Sequence, residues 1–331
     1  MDSRVNGMIW LGSFVLLTLL VFSHLAWGTV PLPWRSWFLD GAPMESMHEL
    51  ILWDVRMPRT AIAMAAGAGL SLCGLLLQTW FGNPLAGPSV LGVSSGAGMG
   101  VALVVLAGMA GGWMATTAAA VLGSGAALVL ILFVANRFRG AASLLIFGLM
   151  LNYVLGALIT VLQAEADQAA LQQFVFWGMG TFGQGTVEAA WSLGILTCGA
   201  LLGAWMMRRD LDAWTLGALT ARSMGVNDRR FRWAIVWMSG LLTGGITAVC
   251  GPVAFLGLAT PHLVRLLTRE RRHAVLIPLT AIVGANLALL ADWGVKGMLG
   301  MEHGWPLNAV LSLIGGPMVV WVLVTKTKSA V

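Results

Sequence analysis

The sequence predicts an all-α integral membrane protein, one domain over residues 1–331, with about ten transmembrane helices and short interfacial helices between some of them. Three observations predict it. Hydrophobic residues make up 58% of the chain and charged ones only 10%, against roughly a quarter charged in soluble domains. Uncharged apolar runs of about 20 residues, enough to cross a bilayer core, recur along the whole length. The 19 Lys and Arg also sort by side: with the N-terminus inside, all but Arg35, Arg56, Arg59 and Lys296 fall on the inner face or its boundary, as cytoplasmic loops favour.

Met8 to Trp27 is apolar behind Arg4 and reads as a retained first span; its length and the lack of a clear small-residue cleavage site argue against a signal peptide. An outer segment of about 28–55 carries Pro31, Pro33, Trp34 and Trp37 and then MESMHELILW, a short interfacial helix, since Trp-rich flanks suit the headgroup layer. Pro58 opens the second span, where its missing N–H is no loss. Thr60 to Trp80 is uncharged, and Ala65, Gly67, Ala68, Gly69 and Gly74 let neighbouring helices approach closely. Pro84 and Pro88 break the chain at residues 82–88. A third helix follows with Gly92, Gly96 and Gly100 at four-residue spacing, then spans at 113–135 and 141–163. The outer segment 164–186 holds a short apolar piece, Phe174 to Gly178, too short to cross. Further spans lie near 187–207, 232–250, 252–268, 274–293 and 306–325, with a polar inner insert at 208–232.

Several classes of chemistry are disfavoured. Cys73, Cys198 and Cys250 are isolated in apolar spans, which excludes a disulfide framework or a CxxC metal site. No long soluble run could use the net charge of +5 on nucleic acid. No G-x-x-x-x-G-K-[ST] loop occurs, and the spaced glycines after Gly92 lack the G-x-G-x-x-G pattern and a preceding strand. ATP hydrolysis would have to come from another chain.

Arg56, Arg59 and Lys296 stand out on the outer face. They could pair locally, Arg56 with Asp54, and snorkel to the interface, or form a cationic rim for an acidic partner. In the insert, Asp212 or Thr215 can cap a short helix carrying Leu216, Leu219 and Met224, closed by Gly225 and Val226 as a Schellman motif. Apolar residues on a short exposed helix need a partner surface. His262 and Arg265 lie three apart at a span end and read as boundary hydrogen-bonding groups, without second ligands for a metal. Gly148, Asn152 and Gly156 on the fifth span could line a low-affinity path.

The run Arg56-Met57-Pro58-Arg59, the small-residue span, Gln78, Asn83-Pro84-Leu85-Ala86 with Pro88, and the glycine-faced third helix together resemble the FecCD-type permease subunits of ABC importers for iron–siderophores, haem and cobalamin. The likeness extends downstream. LGALTARSMGV (residues 216–226) is similar to that family's coupling helix, L-G-x-x-x-A-x-x-L-G-V, with Met224 for Leu, and Gly251 to Arg265 matches its G-P-x-x-F-x-G-L-x-x-P-H-x-x-R. The resemblance implies a bacterial inner-membrane permease with both termini cytoplasmic, and no cofactor in this chain. It implies a second permease subunit, identical or not, two ATPase subunits that bind ATP and Mg²⁺, and a periplasmic binding protein. Arg56, Arg59 and Lys296 would dock the binding protein. Leu216, Gly217, Leu219, Ala221, Met224, Gly225 and Val226 would couple to the ATPase, and Asn83, Leu85, Ala142 and Ser143 would form an inner gate. A ferric siderophore is the commonest cargo of the likeness, with haem and cobalamin as alternatives. Departures are Lys296 for Arg, and Glu302 to Asn308 where E-x-P-x-G is usual.

Two other functions would leave different marks on such a sequence. An intramembrane enzyme would need paired carboxylates or a clustered site within the spans, whereas the acidic residues sit at span ends. An ion-coupled carrier would want a buried relay at mid-membrane, and Glu188 and Asp292 lie near the outer boundary.

Overall fold

Small residues decide how closely these helices pack. The computed structural model describes residues 3–28, 30–33, 46–108, 113–137, 141–296 and 305–328. The described residues are helical throughout apart from turns and loops. In chain order the helices are α1 (Ser3–Ala26), α2 (Ser46–Leu50), α3 (Met57–Phe81), α4 (Val93–Val105), α5 (Trp113–Arg137), α6 (Ala141–Glu165), α7 (Gln168–Gly178), α8 (Val187–Met206), α9 (Arg208–Trp214), α10 (Ala218–Ser223), α11 (Asp228–Cys250), α12 (Leu256–Thr268), α13 (His273–Val295) and α14 (Leu307–Lys328).

Ten of them, α1, α3 to α6, α8 and α11 to α14, stand where the sequence reading puts its ten spans. Among the described residues, 7 helical segments are long and apolar enough to cross a membrane. α4 and α12 have 13 residues each, or about 20 Å at 1.5 Å per residue, short of a ~30 Å core.

α3 is the central post, with almost all of its span buried against α8, α11, α12 and α13. The glycines set these distances. A Cβ on Gly67 would lie 2.3 Å from the Gly284 carbonyl oxygen, and one on Gly74 only 1.6 Å from that of Gly257. Gly96 meets Gly123 and Gly100 meets Ala119 across α4 and α5 in the same way. This close approach gives the helices dispersion contact where no hydrophobic drive separates them from lipid.

Three boundaries differ from the sequence reading. The short helix α2 does not stop before the second span; it continues as a π-helical turn, Ile51–Arg56, into α3. Pro58 falls where the π turn gives way to α-helix, so its missing N–H falls where the ladder is already interrupted. α11 starts at Asp228, earlier than 232, because Asn227 caps it and accepts a hydrogen bond from the Arg230 N–H. The eighth span begins at Leu256 rather than 252: residues 251–255 are not helical, with Gly251 at φ 72° and Phe255 at φ 65°. Asn308 pins that stretch, accepting from the Ala254 N–H at 3.0 Å and donating to the carbonyls of Pro252 at 2.7 Å and Gly178 at 3.2 Å. The acidic part of the 302–308 departure, Glu302 to Gly304, lies outside the described residues, as do Arg35 and Arg139.

Candidate functional site

Polar chemistry gathers at the two ends of the bundle. At one end the start of α3 meets the ends of α1 and α13. Asp292, on the last turn of α13, is 1% exposed and receives the Arg59 guanidinium as a fork, Nη2 at 2.8 Å from Oδ1 and Nε at 2.9 Å from Oδ2. Lys296 Nζ lies 3.6 Å from Asp292 Oδ2, one helical turn on, and buried His24 Nε2 lies 3.3 Å from the same oxygen. Arg59 and Lys296 remain 24% and 21% exposed. Burial pushes the Lys296 ammonium down to about 8, against the pull of Asp292 upward.

Arg56 plays a different part from that expected of a rim residue. It is buried, and its guanidinium donates to the carbonyls of Leu25 at 2.7 Å, Ala26 at 2.9 Å and Val30. The first two are carbonyls left open at the C-terminus of α1, where a cation is favoured. Arg56 thus closes a neighbouring helix instead of pairing with Asp54.

At the opposite end, α9 and α10 lie beneath the end of α3 and the start of α13. Leu216, Leu219 and Met224 are 64%, 79% and 62% exposed. Gly217 at φ 105° opens α10, Ala221 is buried, and the helix closes as expected: Gly225 N–H donates to Arg222 O and Val226 N–H to Ala221 O, both at 3.0 Å. The expected cap is corrected. α10 has no side-chain cap, and Asp212 lies inside α9 with its carboxylate on His273, 2.7 Å from Nδ1. Thr215 donates back to the Asp212 carbonyl.

A cleft of about 1110 Å³ opens beside α10, lined in part by Thr79, Gly82, Pro84, Leu144, Leu216 and Arg265. The turn after α3 and the start of α6 therefore face the same space. In that turn Asn83 Oδ1 accepts the Leu85 N–H at 2.9 Å, and Leu85 is exposed. His262 Nε2 is 2.7 Å from Pro84 O, and Arg265 donates to Gln78 Oε1 at 2.8 Å, which fits the boundary role read for both. Ser143 is exposed beside Leu144; the Ala142 side chain lies outside the described set.

The path candidates divide. Gly148 is buried, its carbonyl beside Gly92. Asn152 accepts from Ser95 Oγ at 2.7 Å and donates to Ser89 O at 2.9 Å, tying α6 to the start of α4. Gly156 has open space where a Cβ would be. Among the described residues, no group of three His, Cys, Asp or Glu could hold a metal ion.

Sequence reasoning missed Asp292 as the hub of the cationic end, though its place four before Lys296 was a usable signal. Asp212 with His273, 61 residues apart, carried no local signal at all.

Helices of membrane length around a glycine-packed post, with a cationic end and an exposed apolar helix at the other, define a multi-span membrane permease. The chain belongs to the FecCD transport family, whose model matches residues 16–325. It is 32% identical to the vitamin B12 import system permease protein BtuC of Escherichia coli O6:H1 over 87% of this chain and 88% of that one. It is also 32% identical to the hemin transport system permease protein HmuU of Yersinia pestis, over 98% and 97%. Among solved structures, a metal-chelate type ABC transporter in an inward-facing conformation superposes with a TM-score of 0.85 at 26% identity, covering 96% of this chain and 99% of that one. PsaBC of Streptococcus pneumoniae shares the fold alone, with a TM-score of 0.58 at 14% identity over 83% and 93%.

Proposed function

We propose that this chain is one half of the translocation pore of an ABC importer for a metal chelate. It pairs with a second permease subunit, receives cargo from a periplasmic binding protein, and is driven by two separate ATPase subunits that handle ATP and Mg²⁺. The family match over nearly the whole chain carries this reading. The two polar ends support the arrangement: Arg59 and Lys296 offer cations to acidic side chains of the binding protein, with Arg56 holding α1 in register beside them. Leu216, Leu219 and Met224 offer an apolar face to the ATPase. The distribution of Lys and Arg supports an inner-membrane protein with both termini cytoplasmic.

The chain does no covalent chemistry. Cargo is released between the permease subunits, and ATP-driven movement of α10 opens or shuts the inner gate around Asn83, Leu85, Ala142 and Ser143, with the α6 face at Gly148, Asn152 and Gly156 beside the path. This is alternating access, biased by differential contacts in two states. The named relatives carry vitamin B12 and hemin, which favours a metal macrocycle as cargo over a ferric siderophore. The test is reconstitution in vesicles with cobalamin, haem and a ferric siderophore as probes. Uptake is expected only with both companions present and for one chelate class; uptake by the chain alone would overturn the reading.

A further inference from the structure

We infer that Asp212, His273 and Thr79 form a positioning link that carries movement of α10 into the last turn of α3, and so to the turn at residues 82–88. The inference rests on the reading of α10 as the helix that meets the ATPase.

The link starts in α9, which precedes α10 and is joined to it by a short turn. Asp212 Oδ1 accepts the backbone N–H of His273 at 2.8 Å as well as meeting its ring Nδ1 at 2.7 Å. That N–H is one of the open donors at the start of α13, and the N-cap residue Arg272 makes no side-chain cap there. The cap is therefore supplied from another helix, so α9 and α13 are joined at a helix terminus. The His273 ring is 1% exposed, and its far nitrogen, Nε2, lies 3.0 Å from Thr79 Oγ in the last turn of α3.

A second hold runs in parallel. Trp214, at the end of α9, donates its indole N–H to the Trp80 carbonyl at 3.1 Å and stacks on Phe231 of α11, centroids 4.4 Å apart. One short helix thus grips the end of α3, the start of α13 and the first turns of α11. From there the connections continue to the turn: Gln78 donates to Leu258 O and accepts from Arg265, while His262 meets Pro84 O. These groups are mostly buried, and a buried donor left without its acceptor is costly. Parting α9 from α3 while α10 moves would strand such groups. Moving α3 and α13 with α9 keeps them paired, which is the condition for α10 to drive the gate.

The test uses the full chain reconstituted with its ATPase and binding protein, and reads cargo moved per ATP hydrolysed. Thr79→Val removes the hydroxyl at equal volume, Thr79→Ser restores it, and Asp212→Ala removes both hydrogen bonds to His273. Thr79→Val and Asp212→Ala are expected to retain the ATPase and its basal hydrolysis while cargo per ATP falls by about fivefold or more, the low end of coupling between sites. Thr79→Ser should recover the ratio. An unchanged ratio in both variants, or loss of ATPase retention in both, overturns the link. The underlying reading fails separately: Leu219→Asp would then keep the ATPase bound and fully stimulated.

Discussion

Gly74→Ala probes the crossing of α3 and α12, on which the position of the 82–88 turn depends. The added Cβ would lie 1.6 Å from the Gly257 carbonyl oxygen, 2.4 Å from its carbon and 2.8 Å from its Cα. All three are backbone, so no side chain can swing aside. Reaching an ordinary contact of 3.4 Å requires the two helices to part by about 2 Å, and overpacking of this kind costs about 1–3 kcal/mol even where the neighbours can adjust. Gly199→Ala, on α8 with open space at the Cβ position, is the matched control and should gain up to ~1 kcal/mol of helix propensity. The propensity gain is common to both, so the variants should differ by the overpacking cost, about 1–3 kcal/mol. Thermal inactivation half-life in detergent is the suitable assay, since large membrane proteins rarely unfold reversibly. Equal half-lives for the two variants would refute the claim that glycine contact holds α3 against α12.

Arg59→Glu should abolish association with the binding protein and import while leaving membrane insertion intact, read by pull-down and uptake. Arg56→Ala should instead shorten the thermal half-life, since it leaves two α1 carbonyls without a charged donor, worth about 1.5–3 kcal/mol, and should leave the on-rate for the binding protein nearly unchanged. Lys296 is charged below its pKa of about 8, so raising the pH through that value removes a cation facing Asp292, Arg59, His24 and Arg56. Affinity for an acidic partner should then fall, and Lys296→Arg should flatten that profile. Leu219→Asp should lose stimulation of the ATPase by loaded binding protein, measured as phosphate release.

What the sequence made legible was whatever is local. Span positions follow from apolar runs, the close crossings from Gly67, Gly74, Gly96 and Gly100, and the Schellman close of α10 from Gly225 beside apolar Val226. What it hid depends on partners far along the chain. Asp212 looks like a local cap, but its carboxylate takes the open N–H of His273 instead. The break before α12 shows in Gly251 and Pro252, yet Phe255 at φ 65° is unfavourable for an aromatic residue and is held by surroundings no pattern announces. Asn308 reads as a mere departure from a family glycine, whereas its amide joins three separate segments.

The two arginines that open the second span show how this division shapes function. They are three residues apart, one ending the π turn and one in the first turn of α3, inside a continuous helical segment where burial disfavours an unpaired cation. Each is relieved by a different neighbour: Arg56 by the negative end of α1, Arg59 by Asp292. Lys296 needs less relief, because it ends α13, where the dipole favours it. Asp292 thereby holds Arg59 and Lys296 side by side without covering them. In the proposed docking, an arriving carboxylate would meet side chains whose rotamers are already restricted. Each such chain otherwise gives up about 2 kcal/mol of rotamer entropy when fixed, so a buried acid beside the cations favours a charged contact, despite lowering the net charge of the surface.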